Sequence, residues 1–341
     1  MIATRILRGW TPFFFTPLDA RPLALFRMLS GLLCTCMFLA SAANWNRFFA
    51  ADGIISLRST ELQNTRVNES LGLFYWTEGI VPIGFWWFVC VAFSIMFMVG
   101  WKTRWATVGL YVMIEAMLHR NPYLANGEEM VMRMCLLYLV FADPGAVWSV
   151  DARLRRRKGM VRPYLLPGWP IRMMQINVAL IYVISLPYKL VQDPGWVTGD
   201  AIHWTVASDM WGPSEYPFIT LAFNGLLRKL ITFGTVIVEA WFPLCVWFGR
   251  TRRSAIISIA ALHLGIAVMI PNVTYFTLSM VCTFPAFLAA EDIDLMDRAW
   301  CRLRRFFRSR ERSLLPAHRR MAQPLADPAR ASSGLSASTR S

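Results

Sequence analysis

Of the 341 residues, 56% are hydrophobic and only 16% are charged, and the mean hydropathy is +0.41. A water-soluble chain carries roughly a quarter charged residues, so the composition excludes an ordinary soluble enzyme and points to a polytopic membrane protein, all-α because helices satisfy their own backbone in lipid. The formal net charge of +14 would suit nucleic acid if the cations shared one face, but they fall in short clusters between apolar runs, which excludes a nucleic-acid groove and fits anionic lipid.

The chain opens with Arg5 and Arg8, and no small-residue cleavage site follows an apolar run, so the first span is expected to be retained. Thr16-Pro-Leu-Asp-Ala-Arg-Pro-Leu-Ala-Leu-Phe-Arg27 reads as a helix start, because Asp19 can cap free amides and Pro22 is tolerated in a first turn. The first span is expected over about 22–43, with Arg27 about one turn inside, snorkelling to the surface or pairing with an acid. A loop follows with Asn46-Arg-Phe-Phe-Ala-Ala-Asp-Gly53 and the interfacial Leu73-Phe-Tyr-Trp76.

Apolar runs over 81–100 and 105–118 predict a tight helix hairpin around Gly100-Trp-Lys-Thr-Arg104. The polar turn His119 to Glu129 leads into a fourth run ending near 142, and Arg153 to Lys158 form a basic loop. A fifth run, 170–190, ends at Lys189, and Pro194-Gly-Trp196 turns the chain out of the apolar phase. The next connection holds His203, Trp204, Met210 and Trp211, with a stretch over 218–227 too short to span. Runs over 231–249, 254–270 and 273–290 complete the set, with Arg250-Thr-Arg-Arg253 between the first two.

Threaded from a cytoplasmic N-terminus, eight helices put every basic cluster and the C-terminus on the cytoplasmic side and leave Asp52, Glu69, Asp193, Asp200, Asp209 and Glu215 outside. The expected organisation is a membrane domain over 1–291 and a basic tail over 292–341. In that tail Trp300, Leu303, Phe306 and Phe307 interleave with arginines, an interfacial pattern, and disorder is expected beyond Pro316.

Ionisable groups inside spans cost a few kcal/mol or more and are functional candidates. They are Glu115, Arg133, Glu239 and His263, with Lys189 at the margin. Lys189 has two readings: a snorkelling anchor at a helix end, or an amine in an apolar, aromatic-walled pocket that serves as a base at neutral pH. His263, in the middle of the seventh run, is either a polar group bonded to a neighbouring helix or part of a site. Glu115 and Glu239 can pair with Arg133 as glue inside the bundle. Asn121, Asn126, Glu128 and Glu129 crown the fourth helix, where Asn126 is an apt N-cap and acids suit the first turn, and they open on the same side as Lys189. With four histidines and no ligand spacing, no metal is expected. Six of the seven cysteines, all but Cys301, fall in the runs and read as small hydrophobes.

Five motifs in order, Asp19-Ala-Arg-Pro-Leu-Ala-Leu-Phe-Arg27, Asp52-Gly-Ile-Ile55, Asn126-Gly-Glu-Glu129, Tyr188-Lys-Leu190 with Trp196-Val-Thr-Gly199, and His263, resemble the HTTM domain. That membrane domain is shared by vitamin K-dependent γ-glutamyl carboxylase and bacterial relatives, and the resemblance runs over about 15–290. It implies a lipid quinol of the vitamin K hydroquinone type, with O2 and CO2 as co-substrates, in a carbon-carbon lyase reaction. It gives Lys189 the role of base and matches His263 to a histidine of the cofactor pocket. Asn121-Pro-Tyr-Leu124 aligns with a segment whose polar residue is histidine in the carboxylase. Asn121, Tyr123, Asn126 and Trp196 are therefore expected to bind the cofactor.

The carboxylase also carries a long extracytoplasmic region for propeptide and glutamate, where this chain has a basic tail. A quinol pocket is thus implied more strongly than a peptide-glutamate substrate. The expected location is the bacterial inner membrane, with the site facing outward. The alternative is a non-catalytic membrane factor for export, maturation or immunity of a secreted peptide. A transporter fits less well, because neither an inverted repeat nor paired broken helices are evident.

Overall fold

The computed structural model describes residues 2–56, 59, 72–124, 126–160, 164–208 and 224–314. Glu69, Asp209, Met210, Trp211, Glu215, the stretch 218–223, the Phe307 side chain and the tail beyond Pro316 lie outside the described residues. The chain divides into two compact units, Met1–Ala290 and Glu291–Ser341. The described residues form helices and one two-stranded ladder.

Helix α1 (Ile2–Phe15) leads to strand β1 (Leu18–Asp19), which pairs antiparallel with β2 (Leu165–Leu166). Asp19 caps α2 (Ala20–Ala40), accepting from the Arg21 amide at 2.8 Å and pairing with its guanidinium at 2.7 Å. Burial opposes ionisation of Asp19, but the bonds to Arg21 outweigh it and hold the carboxyl below its ordinary range. Short α3 (Trp45–Phe49) and α4 (Leu73–Trp76) precede α5 (Ile83–Val99). Helix α2 packs along α5, and a Cβ at Gly31 would come within 2.6 Å of the Met98 backbone, so the crossing needs glycine.

Arg27 departs from expectation. It is fully buried and forms no ion pair among the described residues; its guanidinium instead donates to the carbonyls of Phe97, Met98 and Trp148 at 2.8, 2.6 and 2.6 Å. Those of Phe97 and Met98 belong to the last turn of α5, where intrahelical donors run out, so the buried cation is held by helix-end dipoles in place of a carboxylate.

Helix α6 (Thr103–Arg120) starts where Asp151 accepts from the amides of Lys102 and Thr103, and α7 (Gly127–Leu139) opens with a capping box between Asn126 and Glu129. After α8 (Val150–Arg157), α9 (Gly168–Gln192) continues past Lys189, where the sequence suggested an end. The expected turn is a short helix, α10 (Pro194–Thr198), capped by Asp193 and followed by α11 (Ala201–Ala207). Helices α12 (Gly225–Cys245), α13 (Arg252–Met269) and α14 (Thr274–Thr283) follow. Helix α14 carries buried Thr277, Ser279 and Thr283 and packs against α2, α7 and α13. In the second unit Trp300, Leu303 and Phe306 are exposed on α15 (Ala290–Leu314), and the Arg304 guanidinium lies 5.3 Å from the Trp300 ring.

Among the described residues three helices are long and apolar enough to cross a membrane: α2, α9 and α13. Each of the eight expected runs forms a helix, but α5, α7 and α14 have 17, 13 and 10 residues, short of the ~20 that span a hydrocarbon core. Helices α6 and α12 are longer but carry Arg104, Glu115 and Arg120, and Arg228, Lys229 and Glu239. The eight-span expectation therefore exceeds what helix length and composition carry. Large apolar side chains such as Ile184, Leu244 and Ile257 point outward, as on a lipid-facing surface.

Candidate functional site

Gln175, Tyr182 and Lys189 recur every seventh residue on α9 and so share one face. Opposite them, Thr232, Thr235, Glu239 and Phe242 make the buried stripe of α12, and His263 ends that of α13. Helix packing brings these stripes together.

At the upper level the Lys189 ammonium reaches both oxygens of Glu239, at 2.6 and 2.8 Å. The lysine side chain is 27% exposed and the glutamate only 7%. Lys189 Nζ also lies 4.7 Å from the centroid of the Trp196 ring, within cation–π range. Trp196 is placed by α10: Asp193 accepts from the Gly195 amide at 2.8 Å, and Gly199, at φ +86°, ends the helix. An Arg228–Asp200 pair at 2.9 Å ties this connection to α12. Among the described residues a single indole lies over Lys189, and the group that its amine meets is the Glu239 carboxylate.

Tyr182 lies seven residues earlier, about 10 Å down the helix. Its hydroxyl is 2.8 Å from His263 Nε2, and both side chains are buried. Phe242 packs on Tyr182, while Phe276 and Phe284 flank the imidazole. His263 Nδ1 is buried without a hydrogen-bond partner. A buried polar atom left in this way is a position where a further donor or acceptor can be received.

The remaining expected residues lie elsewhere. Asn121 is buried at the end of α6, donating to the Phe48 carbonyl at 3.1 Å, with Oδ1 unpartnered. Tyr123 is exposed. Asn126, with Glu128 and Glu129, lines a cavity of about 320 Å³ against α2 and α6. Lys189, Trp196 and His263 do not line it.

Residues 15–291 match the family model described as HTTM domain. The chain belongs to the HTTM family. The usual context of that family is vitamin K-dependent carboxylation. The uncharacterized protein YitO of Bacillus subtilis is 26% identical to this HTTM chain over 164 residues, 46% of the chain and 49% of YitO. The match thus spans about half of that relative's length. No solved structure matches.

Two features of this helix cluster are not legible in the sequence. Glu115 does pair with Arg133, at 3.4 Å, and with His119 at 3.7 Å, but Glu239 pairs with Lys189 and not with Arg133. Tyr182 carries no charge at neutral pH to mark it, and its seven-residue spacing from Lys189 is the signal that the sequence offers. Among the described residues no cluster of three or more His, Cys, Asp and Glu side chains could hold a metal ion.

Proposed function

We propose that this HTTM protein is a membrane enzyme in which the Lys189–Glu239 pair takes a proton from the hydroxyl of a lipid quinol. The observation that carries this reading is the bidentate contact of Lys189 with a buried carboxylate, on the face of Trp196. The residues fit such a ligand in kind: a proton-accepting pair, an indole for stacking, and an unpartnered imidazole nitrogen one level below. Trp196 would stack on the ring, with Lys189 at its hydroxyl and His263 receiving a second polar group. When bound, the quinol would be oxidised by O2, and that oxidation would supply the base strength for removing a carbon-bound proton before CO2 adds.

Lys189 passes a proton to Glu239 as it accepts one from the ligand hydroxyl. Glu239 ends protonated, and the ammonium remains beside the anion it has helped to form. The amine therefore need not be neutral beforehand, and the new negative charge meets a fixed cation in a medium of low dielectric. Tyr182 fixes the plane of the imidazole through Nε2, leaving Nδ1 free for the ligand.

The fuller topology belongs to the same proposal: eight helices across the bacterial inner membrane, both termini cytoplasmic, the Lys189 end outward and the basic tail on anionic lipid. It is supported by the alternation of basic and acidic loops and by helices at all eight runs.

The test is aerobic oxidation of vitamin K hydroquinone by the full chain in nanodiscs, with mass spectrometry of co-purifying quinone. Lys189→Met and Glu239→Gln should each lower turnover by about 100-fold or more, with quinone retained. Full turnover in Lys189→Met, or no quinone bound to the native protein, overturns the reading. One observation favours a second reading: the two groups are bonded to each other through both carboxylate oxygens, as a purely structural pair would be. The protein would then be a non-catalytic factor for a secreted peptide, and the native chain would leave the hydroquinone untouched.

A further inference from the structure

The cavity beside Asn126 is bounded by α2, α6 and α7, with Phe48 and Phe49 of α3 and Tyr275 of α14 closing it. At about 320 Å³ it lies at the lower end of small-molecule pockets, ~300–1,000 Å³. Its walls are mostly apolar, among them Met37, Phe38, Ile114, Met117 and Met132. Against them stand two carboxylates, Glu128 and Glu129, both partly withdrawn from the surface. One Glu129 oxygen accepts from the Asn126 amide at 3.2 Å. Neither acid meets a lysine, arginine or histidine among the described residues.

That is unusual in a chain of net charge +14. Nearby cations are committed elsewhere: Arg133 to Glu115, and Arg120 to the carbonyls of Ala50 and Ile55. Carboxylates drawn into an apolar cavity stay ionised only beside a counter-charge, and otherwise take up a proton. Since the described residues supply none, a ligand can. Phe48 and Tyr275 add aromatic surface, which suits an ammonium group.

We propose that this cavity binds an alkylammonium, its aliphatic stem among Met37, Phe38, Met117 and Met132 and its amine at Glu128 and Glu129. A ligand that becomes anionic, as an acidic hydroxyl does on losing its proton, would meet like charge here. The cavity is therefore a second site, and the inference rests on no part of the Lys189 reading. The amine is either free or the headgroup of an aminophospholipid.

Octylammonium is the probe, titrated at neutral pH into the full chain in phosphatidylcholine nanodiscs, with empty nanodiscs subtracted. Saturable binding is expected, at least about tenfold weaker in Glu128→Gln, as loss of a charge-assisted hydrogen bond requires. Ala40→Trp, which fills the cavity from its exposed rim and leaves both acids in place, should abolish binding. Octanol and octanoate should not compete. Retention of phosphatidylethanolamine by the native protein but not by Glu128→Gln assigns the headgroup; octylammonium binding without it assigns a free amine. Octanol binding as well as octylammonium, or unchanged binding in both variants, overturns the proposal.

Discussion

Lys189 and Glu239 satisfy each other across the α9–α12 contact, one ammonium meeting both oxygens of a carboxylate that is almost wholly buried. Removing one partner strands the other. Lys189→Met or Glu239→Leu should each destabilise the protein by about 3 kcal/mol, less for the partly exposed lysine, and the double variant should recover most of the loss. Melting in detergent checks this. Additive losses would show that the pair is not coupled in the folded protein.

Arg27 donates to carbonyls from two separate segments. Arg27→Leu leaves those carbonyls unpaired and should cost at least about 3 kcal/mol, enough to reduce yield of folded protein. Gly100→Ala should be nearly as harmful, because its φ is +72° and an added Cβ would fall 2.6 Å from an Arg27 guanidinium nitrogen. Size-exclusion profiles and melting temperatures report both.

Tyr182→Phe removes the partner of His263 Nε2 and leaves an imidazole with no hydrogen bond from the chain. A loss of about 1–3 kcal/mol is expected, and His263→Leu in the same background should restore part of it. The nitrogen chemical shifts of His263, recorded in native protein and Tyr182→Phe, give a direct readout of the lost bond.

Asp19 links charge to stability at the start of α2. Its carboxyl ionises more readily folded than unfolded, so its contribution is present above the unfolded value of 3.8 and is lost as pH falls through the lower folded value. Asp19→Asn should melt below the native protein at pH 6 and approach it as the medium is taken below about 4. A constant gap across that range would remove Asp19 from the acid limb.

Much of the helical order was legible because apolar runs and caps are local. Asp19 and Asn126 cap helices as their residue types and neighbours require, and each apolar run became a helix. Partners across helices were not legible. Arg27 ends on backbone carbonyls, which every residue possesses, so no sequence signal marks them. The sequence shows Glu239 as an acid in an apolar run, but choosing Lys189 over Arg133 depends on how α12 is rotated and which helix lies beside it. For the same reason Asn126 and Lys189, both near helix ends, line different places.

The two-residue ladder of Leu18–Asp19 with Leu165–Leu166 lies at the far end of α9 from the Lys189 pair. From Gly168 to Lys189 the helix rises about 32 Å, close to the ~30 Å of a hydrocarbon core. The ladder therefore works as a depth gauge: by tethering the foot of α9 to the foot of α2, it sets the height and the compass bearing at which the amine emerges. One residue inserted between Leu166 and Lys189 would lift that amine by ~1.5 Å and swing it by ~100°, turning it from Glu239 toward lipid while every helix stayed intact.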